Sequence, residues 1–143
     1  MLPGAAGAVV TFSAVLAGDT AVPPTSSQAA GSATFVLEDT NELTYFVDLR
    51  GTLSSPETGC TLNGPARRTD RAPVLYSLPL GVHKEGSVGT LTELEIVQLL
   101  DGEWYCNLLT QSFPDGEIRC QIENVTAAQE RTWGAVKALY GGR

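Results

Sequence analysis

Histidine is nearly missing from this sequence: His83 is the only one in 143 residues. A histidine-rich metal site is excluded on that count, and one histidine in a loop gives no support to a Ser-His-Asp catalytic set. Base is scarce too, with 9 lysines and arginines against 16 acids and a formal charge of −7. Phosphate binding needs clustered cations, so nucleic acid and anionic membrane are excluded as partners. The one basic run, Arg67, Arg68 and Arg71, is interrupted by Asp70 and reads as a solvated loop. No apolar run reaches the length of a membrane span. No Cys-x-x-Cys pair is present, which argues against a zinc ribbon or a thioredoxin-type site. GAAGAVV near the start lacks the Lys-Ser/Thr ending of a phosphate loop and runs into a strand pattern.

What is present suits one compact domain. The length allows one core, and 43 % hydrophobic residues are enough to fill it. The opening MLPGAAGAVV is apolar but carries no Lys or Arg, so it reads as the start of the folded chain and not as an export signal. Period-two alternation then dominates. Strands are predicted over 9–18, with Phe12 and Leu16 on one side and Val15 on the other, and over 32–38 and 42–51. Asp39-Thr40-Asn41 joins the last two as a hairpin. Cys60, Thr61 and Leu62 alternate as a strand end before the turn Asn63-Gly64-Pro65-Ala66. A further strand over 72–80 contains Pro73 and Pro79, which makes it short or places it on an edge. His83 is assigned to a loop, GVHKEG.

One helix interrupts the pattern at 91–102. Thr92 and Glu95 fit a capping box, Leu94, Val97 and Leu100 recur at helical spacing, and Gly102 supplies the stop. Strands at 103–110 and 116–123 then flank Pro114-Asp115-Gly116, a turn sequence in which Pro presets φ and Gly permits φ above zero. The tail, 124–143, reads as a helix capped by Thr126, with Trp133, Val136 and Tyr140 on one face. It is short enough to need docking on its own domain, 1–123, or on a neighbour. Asn124-Val125-Thr126 is also a glycosylation sequon, meaningful only in a eukaryotic secretory pathway.

The order of these motifs resembles the chordin-like (CHRD) domain family. TFSAVLAGDTAVPPTSSQAAGSATFVL matches its opening, LTYFVDLRGTLS its next strand and exit, and NGPA its Gly-Pro-Ala turn. LTELEIVQLLDGEWYCNLLTQSFPDGEIRCQI matches its closing block, so that the resemblance covers roughly 11–122. It implies an all-β, Greek-key antiparallel sandwich or barrel like the scaffold of copper–zinc superoxide dismutases. It implies export, common among relatives, and no settled catalytic activity. Animal members of the family sit inside extracellular signalling antagonists.

Departures from the family pattern define the candidate site. Many relatives carry His-x-His before Gly-Pro-Ala and a third histidine in the later strand; here these positions are Thr61, Asn63 and Leu109. Three imidazoles there would suit copper or zinc, whereas Leu cannot ligate and Thr and Asn are poor donors for such a metal. Alternation puts Cys60, Cys106 and Cys120 on the opposite, apolar faces, where each is a small core residue. A hairpin about Phe113 sets Cys106 opposite Cys120. A disulfide between them and a pair of free thiols are the two alternatives, with Cβ separation deciding. Glu117 and Arg119 share a strand face, and an ion pair to each other or to a neighbour is the expected use of both, ahead of catalysis.

Three functions remain. The leading one is a non-enzymatic extracytoplasmic module, secreted or on the cell surface, that contacts a protein partner or self-associates as a homo-oligomer. Trp133, Val136 and Tyr140 are its candidate docking residues, and it has neither catalytic residues nor a cofactor. The second is a metal-independent cyclase or isomerase that shapes a substrate in an apolar pocket. The third is a copper- or zinc-binding protein. Composition leaves a cytoplasmic location open.

Overall fold

The structure, a computed structural model, describes residues 9–123. The tail with Trp133, Val136 and Tyr140, and most of the apolar start, lie outside the described residues. Eight antiparallel strands form one nearly closed, barrel-like sheet. They are β1 (Val10–Ala17), β2 (Ala30–Leu37), β3 (Leu43–Arg50), β4 (Glu57–Asn63), β5 (Val74–Leu78), β6 (His83–Val88), β7 (Trp104–Thr110) and β8 (Ile118–Ile122). A single α-helix among the described residues, α1 (Glu93–Leu100), links β6 to β7.

The order across the sheet is β5-β4-β7-β8-β1-β2-β3-β6. Two four-stranded halves therefore meet at β8 and β1, and the recorded ladder between those strands is one pair, Ala17 with Arg119. The other two edges, β5 and β6, are not paired to each other. Lys84 of β6 spans part of that opening. Its ammonium, 1 % exposed as a residue, meets Glu57 of β4 at 2.7 Å and the Pro79 and Gly81 carbonyls at 2.9 and 2.7 Å.

Alternation fills the interior. Phe12 and Leu16 of β1, Phe35 of β2, Leu43 and Val47 of β3, Leu62 of β4, Trp104 and Leu108 of β7 and Ile118 of β8 are all fully buried in one cluster. Val15 points the other way at 62 % exposed. Each buried side chain of this size contributes about 1.5–3 kcal/mol of apolar transfer. The capping box forms as expected: Thr92 Oγ1 accepts from the Glu95 amide, and the Glu95 carboxylate accepts from the Thr92 amide.

Three local expectations fail. The GVHKEG segment is strand, not loop: His83 to Val88 pairs with β3 from Asp48 to Leu43. Its inward positions are Lys84, Gly86 and Val88, so the usual apolar signal is missing. Gly86 is required because a Cβ there would sit 2.6 Å from the Tyr45 hydroxyl. On α1, Leu94 is exposed and Val97 half-buried; Leu100 is buried as expected, together with Ile96 and Leu99. A face that includes two adjacent positions, 99 and 100, is wider than the narrow stripe read from spacing. The third, the Glu117–Arg119 ion pair, does not form and is described below.

Candidate functional site

The positions held by histidine in many relatives lie on the outer face of β4 and β7. There the strands are in register as rungs: Thr61 opposite Asn107 opposite Arg119, and Asn63 opposite Tyr105 opposite Gln121. These six side chains, polar or aromatic, point away from the barrel core by simple alternation. The segment 64–73, which begins at the turn Gly64-Pro65, runs over them and takes up their hydrogen bonds. Gly64 is needed at its start, because a Cβ would lie 2.7 Å from the Trp104 ring and 2.9 Å from the Glu103 carbonyl.

Thr61 and Asn63 are 8 % and 5 % exposed. The Thr61 hydroxyl donates to Asn63 Oδ1 at 2.6 Å, and Asn63 Nδ2 donates to the Ala72 carbonyl at 2.9 Å. The Tyr105 hydroxyl lies 2.9 Å from the Ala72 amide, from which it accepts. Gln121 Nε2 donates to the Ala66 and Gly102 carbonyls at 2.7 and 2.9 Å. Asn107 Nδ2 donates to the Asp115 carbonyl at 2.9 Å, under Gly116, where a Cβ would overlap the Asn107 side chain. These groups hold loops in place, and none of the six offers an imidazole or thiolate to a metal.

Arg119 anchors the arrangement. It is 1 % exposed, and its guanidinium lies 3.6 Å above the Tyr105 ring. It donates to the Asp70 carbonyl at 2.7 Å, the Arg67 carbonyl at 2.9 Å and Gln121 Oε1 at 2.8 Å. Its Nε has no hydrogen-bond partner. Burial pushes its pKa down, while Tyr105, Cys120 and Asp70 oppose that shift. A buried cation held by carbonyls reads as a clamp on 67–70, not as a catalytic group.

Glu117, fully buried, has its own cradle. Its carboxylate accepts from Ser27 Oγ at 2.6 Å, the Ser54 amide and Oγ at 2.9 and 2.7 Å, and Thr110 Oγ1 at 2.9 Å. Burial pushes the carboxyl up, but these hydrogen bonds outweigh it and hold the pKa below the ordinary value. Hydroxyls of Ser27, Ser54 and Thr110 thus do what an ion-pair partner was expected to do. Sequence gives only a weak sign of it: serines and threonines far apart along the chain, brought together by the topology.

The cysteines lie on the inner face. Cys60, Cys106 and Cys120 are free thiols, each at most 1 % exposed. Cys106 stands opposite Cys120 in the β7–β8 register, and its sulfur lies 3.7 Å from that of Cys60. The hydrogen bond to Cys106 and burial raise the pKa of Cys60; that with Cys120 and burial raise the pKa of Cys106, against the opposing contact with Cys60. Neutral thiols are poor nucleophiles and poor ligands. Among the described residues, no group of three or more His, Cys, Asp or Glu is arranged to hold a metal.

The exposed side chains make ordinary contacts. Arg67 and Arg71 reach Glu103 and Asp115 at 3.4 and 3.3 Å, and Arg68 pairs with Glu123. His83 sits between Asp48 at 2.6 Å and Glu85 at 3.1 Å, which raise its pKa. One groove of about 490 Å³ lies outside the barrel where β1 and β8 separate. Among the described residues, no helix is long and apolar enough to cross a membrane.

The family model for the CHRD domain matches residues 12–122. Chordin of Xenopus laevis is 31 % identical over 115 residues, covering 78 % of this chain and 12 % of that protein. Chordin of Danio rerio gives the same identity and coverage. The chain thus spans about an eighth of the length of these relatives. No solved structure matches.

Proposed function

We infer that this chain, which belongs to the CHRD domain family, is a non-enzymatic extracytoplasmic module that works by contact with a protein partner or a second copy of itself. The observation that carries this reading is the fate of the polar row on β4, β7 and β8. On that outer face Asn63, Tyr105, Asn107, Arg119 and Gln121 are hydrogen-bonded to loop backbone and Thr61 to Asn63, so the place where relatives carry histidines is structural here. The similarity to chordin supports an extracellular setting and a protein-contact role.

The contact surface best suited to the role is the open edge. The edge strands β5 and β6 present unpaired backbone, and Val74, Leu80 and Val82 around them are 54 %, 57 % and 68 % exposed. An exposed strand edge with apolar side chains is a template for strand addition. The test is light scattering over a concentration series, with hydrogen exchange on the edge amides. The parent should self-associate with rising protection of β5 and β6, and Leu80→Asp with Val82→Asp should weaken association at least tenfold. A single-chain mass throughout, with no change in edge protection, would remove self-assembly through this edge.

A further inference from the structure

The junction between the two halves is incomplete. β1 and β8 share the pair Ala17–Arg119, yet β1 runs on to Val10 and β8 to Ile122. Continued antiparallel pairing would bring Val15 opposite Gln121 and Ser13 opposite Glu123. Instead Ser13, Val15, Gln121 and Glu123 line the two sides of a groove of about 490 Å³. Ala21, Val22 and Pro24 add an apolar wall, and Arg119 lies at its floor with an unpartnered Nε. Val15 stands in it at 62 % exposed, an apolar side chain in the centre of the sheet left uncovered.

We propose that residues 124–143 of the same chain seat in this groove, with Trp133 covering Val15. This goes beyond the partner reading above and does not depend on it. Three observations carry it. Glu123, the last described residue, is itself a wall of the groove, so the segment begins at the mouth of the site. Ten residues separate Glu123 from Trp133, a span of up to about 33 Å if extended and about 15 Å if helical, so the ring reaches the groove in either form. Charge also favours it. The segment carries Arg131, Lys137 and Arg143 against Glu130, a net +2 in a chain of −7, which leaves the rest at −9. The groove itself is balanced, with Asp19 and Glu123 against Arg68 and Arg119, so the attraction is that of the acidic remainder of the chain for the segment as a whole.

Tethering makes even weak affinity sufficient. A short linker places the segment at an effective concentration on the order of millimolar, so a modest intrinsic Kd still gives an occupied groove. Trp133 and Val136 bring apolar area, and the polar floor orients what enters.

The experiment is acrylamide quenching of Trp133 in the full chain, with Trp133→Phe used to subtract the buried Trp104. The Trp133 quenching constant is expected to be at least threefold below that of free tryptophan at all protein concentrations. Val136→Asp, which lies outside the described sheet, and Val15→Asp, on an exposed position, should each raise it to the free value with unchanged far-ultraviolet dichroism. Free-tryptophan quenching in the parent would overturn the proposal. So would protection that survives both substitutions, or protection that appears only with a doubled mass, since that outcome assigns the groove to the segment of a second copy.

Discussion

Strands β7 and β8 bury two opposite chemistries on their two faces. Inward stand Cys106, Leu108, Ile118, Cys120 and Ile122; outward stand Tyr105, Asn107, Arg119 and Gln121, and both sets are largely excluded from water. The inner face is stabilised by apolar area and is insensitive to small changes in direction. The outer face is stabilised by hydrogen bonds to segment 64–73 and to the carbonyls of Gly102 and Asp115, each of which needs a particular donor at a particular place. A sheet with one wet face tolerates substitution there; this one does not, because segment 64–73 has turned its outer face into a second, polar interior.

The sharpest way to break the comparison is at Arg119. Arg119→Met keeps volume but leaves the Arg67 and Asp70 carbonyls and Gln121 without their donor. A loss of about 3 kcal/mol is expected, read as a fall in Tm of roughly 10 °C, with faster hydrogen exchange confined to 64–73. The opposite force is the cost of burying an unpaired guanidinium. A variant as stable as the parent would mean that this cost wins and that the outer face is not the clamp described.

Glu117 is the next largest. Glu117→Gln keeps the shape but sets an amide NH₂ among four donors, for an expected loss of about 2 kcal/mol at neutral pH. The pH dependence has a definite sign. The folded pKa is depressed, so this group's contribution is complete above the unfolded value of about 4.3 and disappears as pH falls through the folded value. Chemical denaturation should therefore show the parent losing its advantage over the variant below about pH 4. Parallel curves from neutral to acid pH would refute the assignment.

How much of this was legible in sequence follows from the same contrast. The inner face announces itself: Phe12, Leu16, Leu43, Tyr45 and Val47 alternate, and alternation is a local signal. The chordin-like motifs pointed to an all-β sandwich or barrel, and Thr92 with Glu95 marked the helix start. The capture of Arg119 by carbonyls 49 and 52 residues away, and of Glu117 by hydroxyls up to 90 away, has no local pattern. An acid and a base two apart on one face suggest each other, and only the fold shows that each is already satisfied elsewhere. Strand β6 was illegible for a related reason. Its inward residues include a lysine that spans part of the seam and a glycine that makes room for Tyr45, so its sequence follows contacts made by other strands.

On the inner face, Cys106 is the residue to change. Cys106→Ser sets a hydroxyl among thiols and apolar side chains, and about 2 kcal/mol of loss is expected, against about 1 kcal/mol for Cys120→Ala, which only opens a small cavity. A thiol count separates packing from bridging. Three thiols that react only on denaturation agree with the free cysteines of the structure; one reactive thiol would mean that Cys106 is joined to Cys60 or to Cys120.

The smallest effect belongs to the region that is neither interior. His83 lies on the exposed edge between Asp48 and Glu85, and its pKa is raised by hydrogen bonds to both carboxylates. A raised folded pKa contributes stability below the unfolded value and loses it as pH rises through the folded one. Solvent screens so exposed a group, and no measurable change in Tm is expected for Asp48→Asn. The imidazole should nonetheless titrate lower in that variant, toward the ordinary value near 6.5, as followed by the His83 ring protons in NMR. If Asp48→Asn destabilised the fold as much as Glu117→Gln, geometry without burial would be enough to make a carboxylate contact strong. The contrast between the outer face of β7 and β8 and the open edge rests on the opposite premise: it is enclosure by 64–73 and its neighbouring loops that gives hydrogen bonds on this scaffold their weight.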